Sequence, residues 1–515
     1  MDEDTRSGET VRDTTVRDTT ATADVTGAAE GDAAEGGAAE GGAADPRRWR
    51  ALAVLAMVQF MFTVDSSIVN VALPSLQRDL GASTADLAWV VNAYVVTAGG
   101  LLLLGGRLAD LWGRRRMFLL GTAIFALASL ASGVAANTGM LVASRFGQGL
   151  GEALAAPAAL SIIVLTFRDG REKARALAIW GGLSGLGATV GVLMSGALTE
   201  LAGWRWIFLI NLPVAAVALL LAPRLVKARP GSGGGHGVDW AGAVLVTTGL
   251  IALISALLSA GHRGWGTSAT LVPLGAGLAA LAAFLVVQAR AASPLVPPRF
   301  FASRVRLSAN LATVTLASGM AATMFLLTLY MQNVLGYRPL ATGLAYLPFC
   351  VAFLGGLMVS TVLTDRLGTA LTSGAGLVLS AAGMLYVALR MSVAGGYAVD
   401  VLPAMVMIAA GLGIAFPALQ NAALHGVTDE DAGLGSGVQT TMQQLGSALG
   451  LAVFAAIAIG RTGVALEAGD SSPAAAVSGY RWAFLAAAGA LVLASVLVSA
   501  TVWRAGADRT RKPAV

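Results

Sequence analysis

The chain has 515 residues, of which 56% are hydrophobic and 12% are charged, and its formal net charge is +5. A charged share about half of that in soluble domains, together with a mean hydropathy of +0.73, argues against a water-soluble globular protein. One Cys and three His are too few for a disulfide framework or a CxxC metal site, so we expect no metal and no cofactor.

The first 46 residues are unlike the rest of the chain. Residues 1–45 carry twelve acids and three Arg, which gives them a net charge of −9 and leaves +14 for the remainder. The run at 27–45 has no aromatic and no branched apolar residue, so it cannot bury a core. We predict a disordered acidic tail at 1–46.

After this tail the chain is a succession of apolar stretches of about 20 residues, the length that crosses a bilayer as a helix. The sequence therefore predicts an all-α polytopic membrane protein with fourteen transmembrane helices. The predicted spans are 51–73, 87–106, 117–136, 139–165, 176–199, 206–222, 240–260, 269–289, 308–331, 341–363, 372–390, 400–423, 434–460 and 482–503.

The Lys and Arg residues between the spans predict the orientation. Segments on the same side as the N-terminus carry 23 of them, and segments on the opposite side carry 7. Short basic loops are retained in the cytoplasm during insertion. We therefore predict a multi-pass protein of the bacterial cytoplasmic (inner) membrane with both termini cytoplasmic.

Short motifs then indicate a family. Between the second and third spans stands GRLADLWGRRR at 106–116, in which glycines permit a tight turn and an acid sits among four Arg. The fourth span contains RFGQGLGEALAAP at 145–157, and the first contains VDSSIVNVALP at 64–74. With WRWIFLINLPV at 204–214 and LYMQNVLGYRPLATGLAYLP at 329–348, this set resembles the major facilitator superfamily and, within it, the fourteen-helix drug/proton antiporters.

This resemblance covers roughly residues 50–503, and it implies two six-helix bundles with two inserted helices between them. Alternating access by rocking of the two bundles would follow. The predicted division after the tail is 47–222 for the first bundle, 223–306 for a linker and the inserted helices, 307–503 for the second bundle, and 504–515 for a cytoplasmic tail.

The fifth helix of the family helps to seal one face and is associated with exchange. Here it reads GGLSGLGATVGVLMSG at 181–196, with glycines at a four-residue spacing that permits close helix approach. Val192 and Ser195 stand where the antiporter pattern has Pro and Gly. We interpret two groups as conformational residues: Gly187 and Gly191 in this helix, and Gly106, Asp110, Gly113 and Arg114 in the 106–116 loop.

Three charges fall deep within the predicted spans. They are Asp65, Arg145 and Glu152. A charge at the bilayer centre costs at least about 2.5–3.5 kcal/mol, so it usually lines a cavity, pairs or titrates. Arg145 and Glu152 are seven residues apart and therefore share one face of the fourth helix. The alternative to a functional site is a static ion pair that only holds helices together.

The mechanism would rest on charge competition. A buried acid can bind a proton from one side and release it when a cationic substrate arrives. We predict Asp65 as the proton carrier, Glu152 as a second proton site or the counter-charge for substrate, and Arg145 as the modulator of both. Four further residues are candidate substrate contacts, each alternatively a packing residue: Asn92, Tyr94, Gln148 and Tyr330.

The predicted function is a proton-coupled antiporter that exports amphipathic organic compounds, such as drugs, antibiotics or secondary metabolites. A proton-coupled importer of the same superfamily is the alternative. A membrane enzyme is disfavoured because no nucleophile, base or metal constellation is evident. The expected partners are a small-molecule substrate, protons and the lipid bilayer, with no nucleic acid. No GxxxxGK(S/T) loop is present, so we also expect no nucleotide.

Overall fold

The computed structural model describes residues 47–167, 170–226, 239–291, 294–296, 298–427 and 432–510. The predicted acidic tail at 1–46 lies outside these residues. Most of the predicted linker between the first bundle and the inserted helices also lies outside them. The same is true of the last residues of the predicted tail at 504–515.

Helices dominate the described part of the chain, and the expectation of an all-α membrane protein is confirmed. Two π-helical turns, Tyr330–Val334 and Tyr397–Val401, and a 3-10 turn at Pro298–Ala302 interrupt or precede α-helices. The α-helices are α1 (Arg47–Leu80), α2 (Thr84–Trp112), α3 (Arg114–Gly133), α4 (Thr138–Thr166), α5 (Gly170–Leu201), α6 (Trp206–Leu209), α7 (Asn211–Leu225), α8 (Trp240–Arg263), α9 (Ser268–Arg290), α10 (Arg304–Leu329), α11 (Pro339–Ala345), α12 (Leu347–Arg390), α13 (Leu402–Ala423), α14 (Ala432–Glu467) and α15 (Ser472–Thr510).

Twelve helical segments among the described residues are long and apolar enough to cross a membrane. The expected number of fourteen is therefore not confirmed by length and apolarity. Two of the predicted spans, 341–363 and 372–390, fall in one segment, Pro339–Arg390. The predicted span at 176–199 lies in α5, whose described apolar stretch Thr189–Leu201 is shorter than a span.

The segment that contains α12 reverses its direction at Gly368. This residue has φ 79° and ψ 163°, a backbone conformation that glycine adopts without a steric penalty. The hydroxyl of Tyr397, beyond the end of α12, donates a hydrogen bond of 2.6 Å to the carbonyl of Ala345, just before its start. The two ends of α12 therefore lie side by side.

The bundle has two ends, which we name by the first and last residues of α1. At the Arg47 end, Arg48 donates two hydrogen bonds of 2.6 Å to Glu172 at the start of α5. At the Leu80 end, Arg205 forms an ion pair of 2.6 Å with Asp79. Consecutive long helices run between these ends in alternating directions.

Close packing of α2 and α4 positions the charged residues of α4. A β-carbon at Gly149 would collide with the carbonyl oxygen of Tyr94 and lie 2.9 Å from the side chain of Thr97. Such contact between backbones requires a small residue at the crossing. The side chain of Arg145, one turn before Gly149, is thereby held against α2.

The helices of the two predicted bundles meet at the Leu80 end. Glu200 at the end of α5 accepts a hydrogen bond of 3.1 Å from the backbone N–H of Leu340 in α11. Gln332 donates a hydrogen bond of 2.8 Å to the carbonyl of Val71 in α1. A β-carbon at Gly196 would lie 2.7 Å from the carbonyl oxygen of Pro339. These contacts join α1, α5 and the segment around α11 at the Leu80 end.

Candidate functional site

Asp65 of α1 and Arg145 of α4 form an ion pair in the interior of the bundle. Both residues have an exposed fraction of 0%. The guanidinium Nη1 of Arg145 contacts Oδ2 of Asp65. The structure thus brings together two of the three charges that the sequence places deep within the predicted spans.

Two amide side chains complete the surroundings of Asp65. Its Oδ1 accepts hydrogen bonds of 2.9 Å from Gln148 and 2.7 Å from Asn211, the first residue of α7. Both amides also donate to the hydroxyl of Ser129 in α3, at 2.7 and 3.1 Å. A buried carboxylate is tolerated when donors surround it in this way.

Arg145 has partners other than Asp65. Its Nε donates a hydrogen bond of 3.0 Å to the carbonyl of Val90, and its Nη1 donates one of 2.8 Å to Oε1 of Gln148. The guanidinium also lies 4.3 Å from the ring centroid of Tyr94, within the range of a cation–π interaction. The guanidinium therefore keeps hydrogen-bond and cation–π partners when the charge of Asp65 is removed.

Glu152 lies two turns beyond Arg145 on the same face of α4. The residue is partly exposed, although it stands near the middle of its helix. Its Oε2 atom is buried and makes no hydrogen bond to the described residues, and the hydroxyl of Tyr94 donates instead to the carbonyl of Phe62 at 3.3 Å. Glu152 is therefore incompletely paired, in contrast to Asp65.

The candidate substrate contacts fall into three groups. Tyr94 and Gln148 belong to the charge cluster. Asn92 is buried in α2, and neither Nδ2 nor Oδ1 of its side chain has a partner in the described part of the chain. Tyr330 lies apart at the Leu80 end, where its hydroxyl donates to the carbonyl of Ser392 at 2.8 Å. The structure thus does not bring Tyr330 to the cluster.

Sequence reasoning missed Asn211 and Ser129 as members of this site. Asn211 falls within the WRWIFLINLPV segment, where it is a polar residue in an apolar span, and that was the available signal. Ser129 lies among Ala, Leu and Ser in α3 and carries no comparable signal. Both residues reach the site because α3 and α7 pack beside α1 and α4.

The predicted conformational loop lies at the Arg47 end. Gly113 has φ 97° between α2 and α3, and Asp110 pairs with Arg114 at 2.6 Å on a partly exposed surface. The next residue, Arg115, donates hydrogen bonds of 3.2 Å to the carbonyls of Pro223 and Val226 at the end of α7. Gly106 faces Pro157 of α4, with 3.6 Å between a β-carbon placed there and the Pro157 ring. The loop thus fixes α2, α3 and α7 to one another.

The glycines of α5 face α1. A β-carbon at Gly187 would lie 2.9 Å from Cβ of Thr63, and one at Gly191 would collide with Ser67 Oγ and lie 2.8 Å from the carbonyl oxygen of Val64. This arrangement places the two glycines where helix α5 approaches α1 most closely.

No group of three or more His, Cys, Asp and Glu residues that could hold a metal ion occurs among the described residues. The polar chemistry of the site is supplied by two separate carboxylates, a guanidinium, and neutral amides and hydroxyls. Such a set can bind charged or polar organic molecules and can exchange a proton.

Membrane-length helices around a buried, incompletely neutralised charge cluster define the class of polytopic membrane transporters. The sequence model of the Major Facilitator Superfamily matches residues 55–451. The chain belongs to this superfamily, and it is a multi-pass membrane transporter for small molecules.

Several relatives named for antibiotic resistance or export match most of the chain. A puromycin resistance protein of Streptomyces alboniger is 38% identical over 88% of this chain and 91% of the relative. A lincomycin resistance protein of Streptomyces lincolnensis is 40% identical over 80% of this chain and 84% of the relative. A cephamycin export protein of Amycolatopsis lactamdurans is 38% identical over 87% of this chain and 91% of the relative.

Solved structures share the fold at low sequence identity. A bacterial homologue of the human lysosomal transporter Spinster, in an inward-facing and unoccupied conformation, has a TM-score of 0.64 at 17% identity and covers 89% of this chain and 98% of its own. A peptide transporter in complex with sulfate has a TM-score of 0.65 at 15% identity, and the match covers 88% of this chain and 94% of that transporter. These similarities show the fold.

Proposed function

We propose that this protein is a proton-coupled antiporter that exports amphipathic organic compounds, such as antibiotics or other secondary metabolites, across the bacterial cytoplasmic membrane. The names of the relatives support export as the direction and antibiotics as the substrate class. The observation that carries the proposal is the buried Asp65–Arg145 pair with the incompletely paired Glu152 beside it.

The proposed topology has fourteen crossings with both termini in the cytoplasm. The reversal at Gly368 supports two crossings within Pro339–Arg390. The contacts of α5 support a crossing there, because Glu172 lies at the Arg47 end and Glu200 at the Leu80 end. An α-helix of that length extends over roughly 45 Å. The excess of Lys and Arg assigns the Arg47 end to the cytoplasm.

Asp65 is the proposed proton site. Its protonation would remove one partner from Arg145, but the guanidinium keeps Val90, Gln148 and the Tyr94 ring. A buried cation that retains hydrogen bonds costs less than one left without partners. The surroundings of Asp65 therefore support both the ionised and the protonated carboxyl group.

Glu152 is the proposed counter-charge for cationic substrates. Its buried Oε2 has no donor among the described residues, and a carboxylate oxygen without a partner at this depth attracts a cation or a proton. The buried Asn92 amide of α2, which also lacks partners among the described residues, is a further candidate for hydrogen bonds to substrate. This division of roles makes distinct predictions for the two acids.

Asp65→Asn keeps the shape of the side chain and mimics the permanently protonated state. We expect it to abolish proton-driven efflux in reconstituted vesicles with an imposed pH gradient, while substrate binding and substrate-for-substrate exchange persist. Uphill efflux at the wild-type rate would move the proton site to Glu152, the other deep acid of the sequence.

Glu152→Gln removes the counter-charge without changing the size of the side chain. We expect binding of a cationic compound to weaken by about 1–3 kcal/mol, as for a lost charge-assisted contact, and binding of an uncharged analogue to change less. Equal weakening of both compounds would contradict this role. If the pH gradient drives substrate accumulation with the proton instead of against it, the alternative of an importer is correct.

A further inference from the structure

A groove opens on the side of the bundle where α8 meets α14 and α15. Its volume is about 660 Å³. Its walls are aliphatic: Leu257 and Ala260 come from α8, Val453 and Ile457 from α14, and Leu485 from α15. The groove lies far along the sequence from the Asp65 cluster and shares no residue with it.

The groove exists because α8, one of the two predicted inserted helices, packs directly on α14. A β-carbon at Gly261 of α8 would lie 2.8 Å from the carbonyl oxygen of Ala456 of α14. Contact between the two backbones at this crossing forms the floor, and the helices diverge from it around the groove. Without the inserted pair, α14 and α15 would lack the opposite wall.

One cation and two indole rings stand at the mouth of the groove. Arg461 is the only charged residue in its lining, and its guanidinium lies 4.4 Å from the ring centroid of Trp482. Within 47–510, as far as the structure describes that range, Arg461 makes no hydrogen bond and no ion pair. The Arg461 side chain is exposed, as are the rings of Trp265 and Trp482, so its N–H donors are open to a ligand.

The depth of these residues matches the interface of a membrane. Arg461 follows directly on the predicted span 434–460, and Trp482 is the first residue of the span 482–503. Tryptophan is enriched at this depth, where headgroups meet acyl chains. Val453 lies eight residues earlier in α14 and therefore about 12 Å deeper. The groove thus has its charge at headgroup level and its aliphatic walls within the hydrocarbon.

We propose that this groove binds one anionic phospholipid from the leaflet at the Leu80 end, with its phosphate on Arg461 and an acyl chain along α8 and α14. The positive mouth selects a negative headgroup, and it disfavours the cationic substrates assigned to Glu152. The open aliphatic wall at hydrocarbon depth suits an acyl chain. This site is independent of the direction of transport.

The test measures retained lipid by native mass spectrometry on the full-length protein in mild detergent. The protein is incubated with phosphatidylglycerol or with phosphatidylcholine that carries the same acyl chains. We expect the wild-type protein to retain phosphatidylglycerol preferentially, and Arg461→Gln to lower that retention roughly tenfold or more, as for a lost charge-assisted hydrogen bond. Arg461→Lys, which keeps the positive charge, should retain much of the phosphatidylglycerol that the wild-type protein retains.

The matched control is Arg263→Gln, which removes an exposed cation at the same end of the bundle but outside the groove. It should leave retention unchanged. A second variant, Ala486→Phe, places a ring in the groove and leaves Arg461 in place. It should also release phosphatidylglycerol, while thermal unfolding remains that of the wild type.

Three results would overturn the proposal. The first is equal retention of the two phospholipids by the wild type. The second is the same loss in Arg263→Gln as in Arg461→Gln, which would show attraction by surface charge in general. The third is unchanged retention in Ala486→Phe, which would place the lipid elsewhere.

Discussion

The charges of Asp65 and Arg145 are buried away from water, which costs desolvation free energy. The polar groups around the two side chains offset this cost. The carboxylate accepts from Arg145, Gln148 and Asn211. A buried pair of this kind contributes little net stability when complete, but removing one partner leaves an uncompensated charge. The stability of single and double variants therefore reports on the pairing.

Arg145→Gln should destabilise the protein by about 3–5 kcal/mol, because the Asp65 carboxylate then keeps only neutral donors. The double variant Asp65→Asn with Arg145→Gln should recover most of this loss. Thermal unfolding of the purified protein in detergent measures both. A double variant as unstable as Arg145→Gln alone would show that the two side chains are not coupled through charge.

At the scale of single residues, the sequence predicted the charges but not their full surroundings. The seven-residue spacing of Arg145 and Glu152 fixes their common face, because it follows from helical geometry alone. Asn211 could not be assigned, since its contact with Asp65 depends on how α7 packs against α1. Tyr330 is a polar group in the predicted span 308–331, but its hydroxyl is hydrogen-bonded to the Ser392 backbone and not to the cluster.

At the scale of elements, α5 contacts two partners through glycines on different parts of its length. Gly187 and Gly191 approach α1, whereas Gly196 approaches the α11 backbone of the other predicted bundle. The first contact lies within the predicted bundle 47–222 and the second lies between bundles. A substitution on each surface therefore probes a different property, packing in the first case and opening of the Leu80 end in the second.

Gly191→Ala should destabilise the protein by about 1–3 kcal/mol, because the new methyl group would collide with Ser67 and force α1 and α5 apart. Gly181→Ala in the same helix is the matched control. A β-carbon there would meet nothing within 4 Å, so we expect a neutral effect or a gain of up to about 1 kcal/mol from helix propensity. Equal melting temperatures for the two variants would contradict the close approach.

The elements themselves were largely predictable, because apolar runs of membrane length are a strong signal. Their ends were not. The predicted first span, 51–73, lies inside a longer helix, Arg47–Leu80, since polar residues continue a helix beyond the apolar part. The break at Tyr330–Val334 arises from a π-helical turn that no apolar pattern marks. The reversal at Gly368 falls between the predicted spans 341–363 and 372–390, where two separate crossings require the chain to turn.

At the scale of the whole molecule, the proposed topology can be tested by chemical labelling. In a Cys350→Ser background, single Cys residues at the start of the chain, at position 232 and at the C-terminus should be shielded from an impermeant reagent on intact cells. A Cys at position 470 should be labelled. Permeabilised cells provide the control for reactivity, and labelling at 232 in intact cells would contradict fourteen crossings.

The neutral pairing of Asp65 with Arg145 has an electrical consequence. Since these charges cancel, an ionised Glu152 gives the cluster a formal charge of −1, and one proton or one monovalent cation brings it to zero. Exchange of one proton for one cationic substrate then moves no net charge across the membrane. Exchange of one proton for an uncharged substrate moves one charge, which is worth about 2.3 kcal/mol per 100 mV.

An imposed potassium diffusion potential in proteoliposomes separates these cases. Efflux of an uncharged compound should accelerate when the membrane voltage favours proton entry, and efflux of a monovalent cation should not respond. An identical response of both compounds would contradict the charge of −1. A cell that loses its membrane voltage but keeps its pH gradient would then still export cations at full rate and export uncharged compounds more slowly.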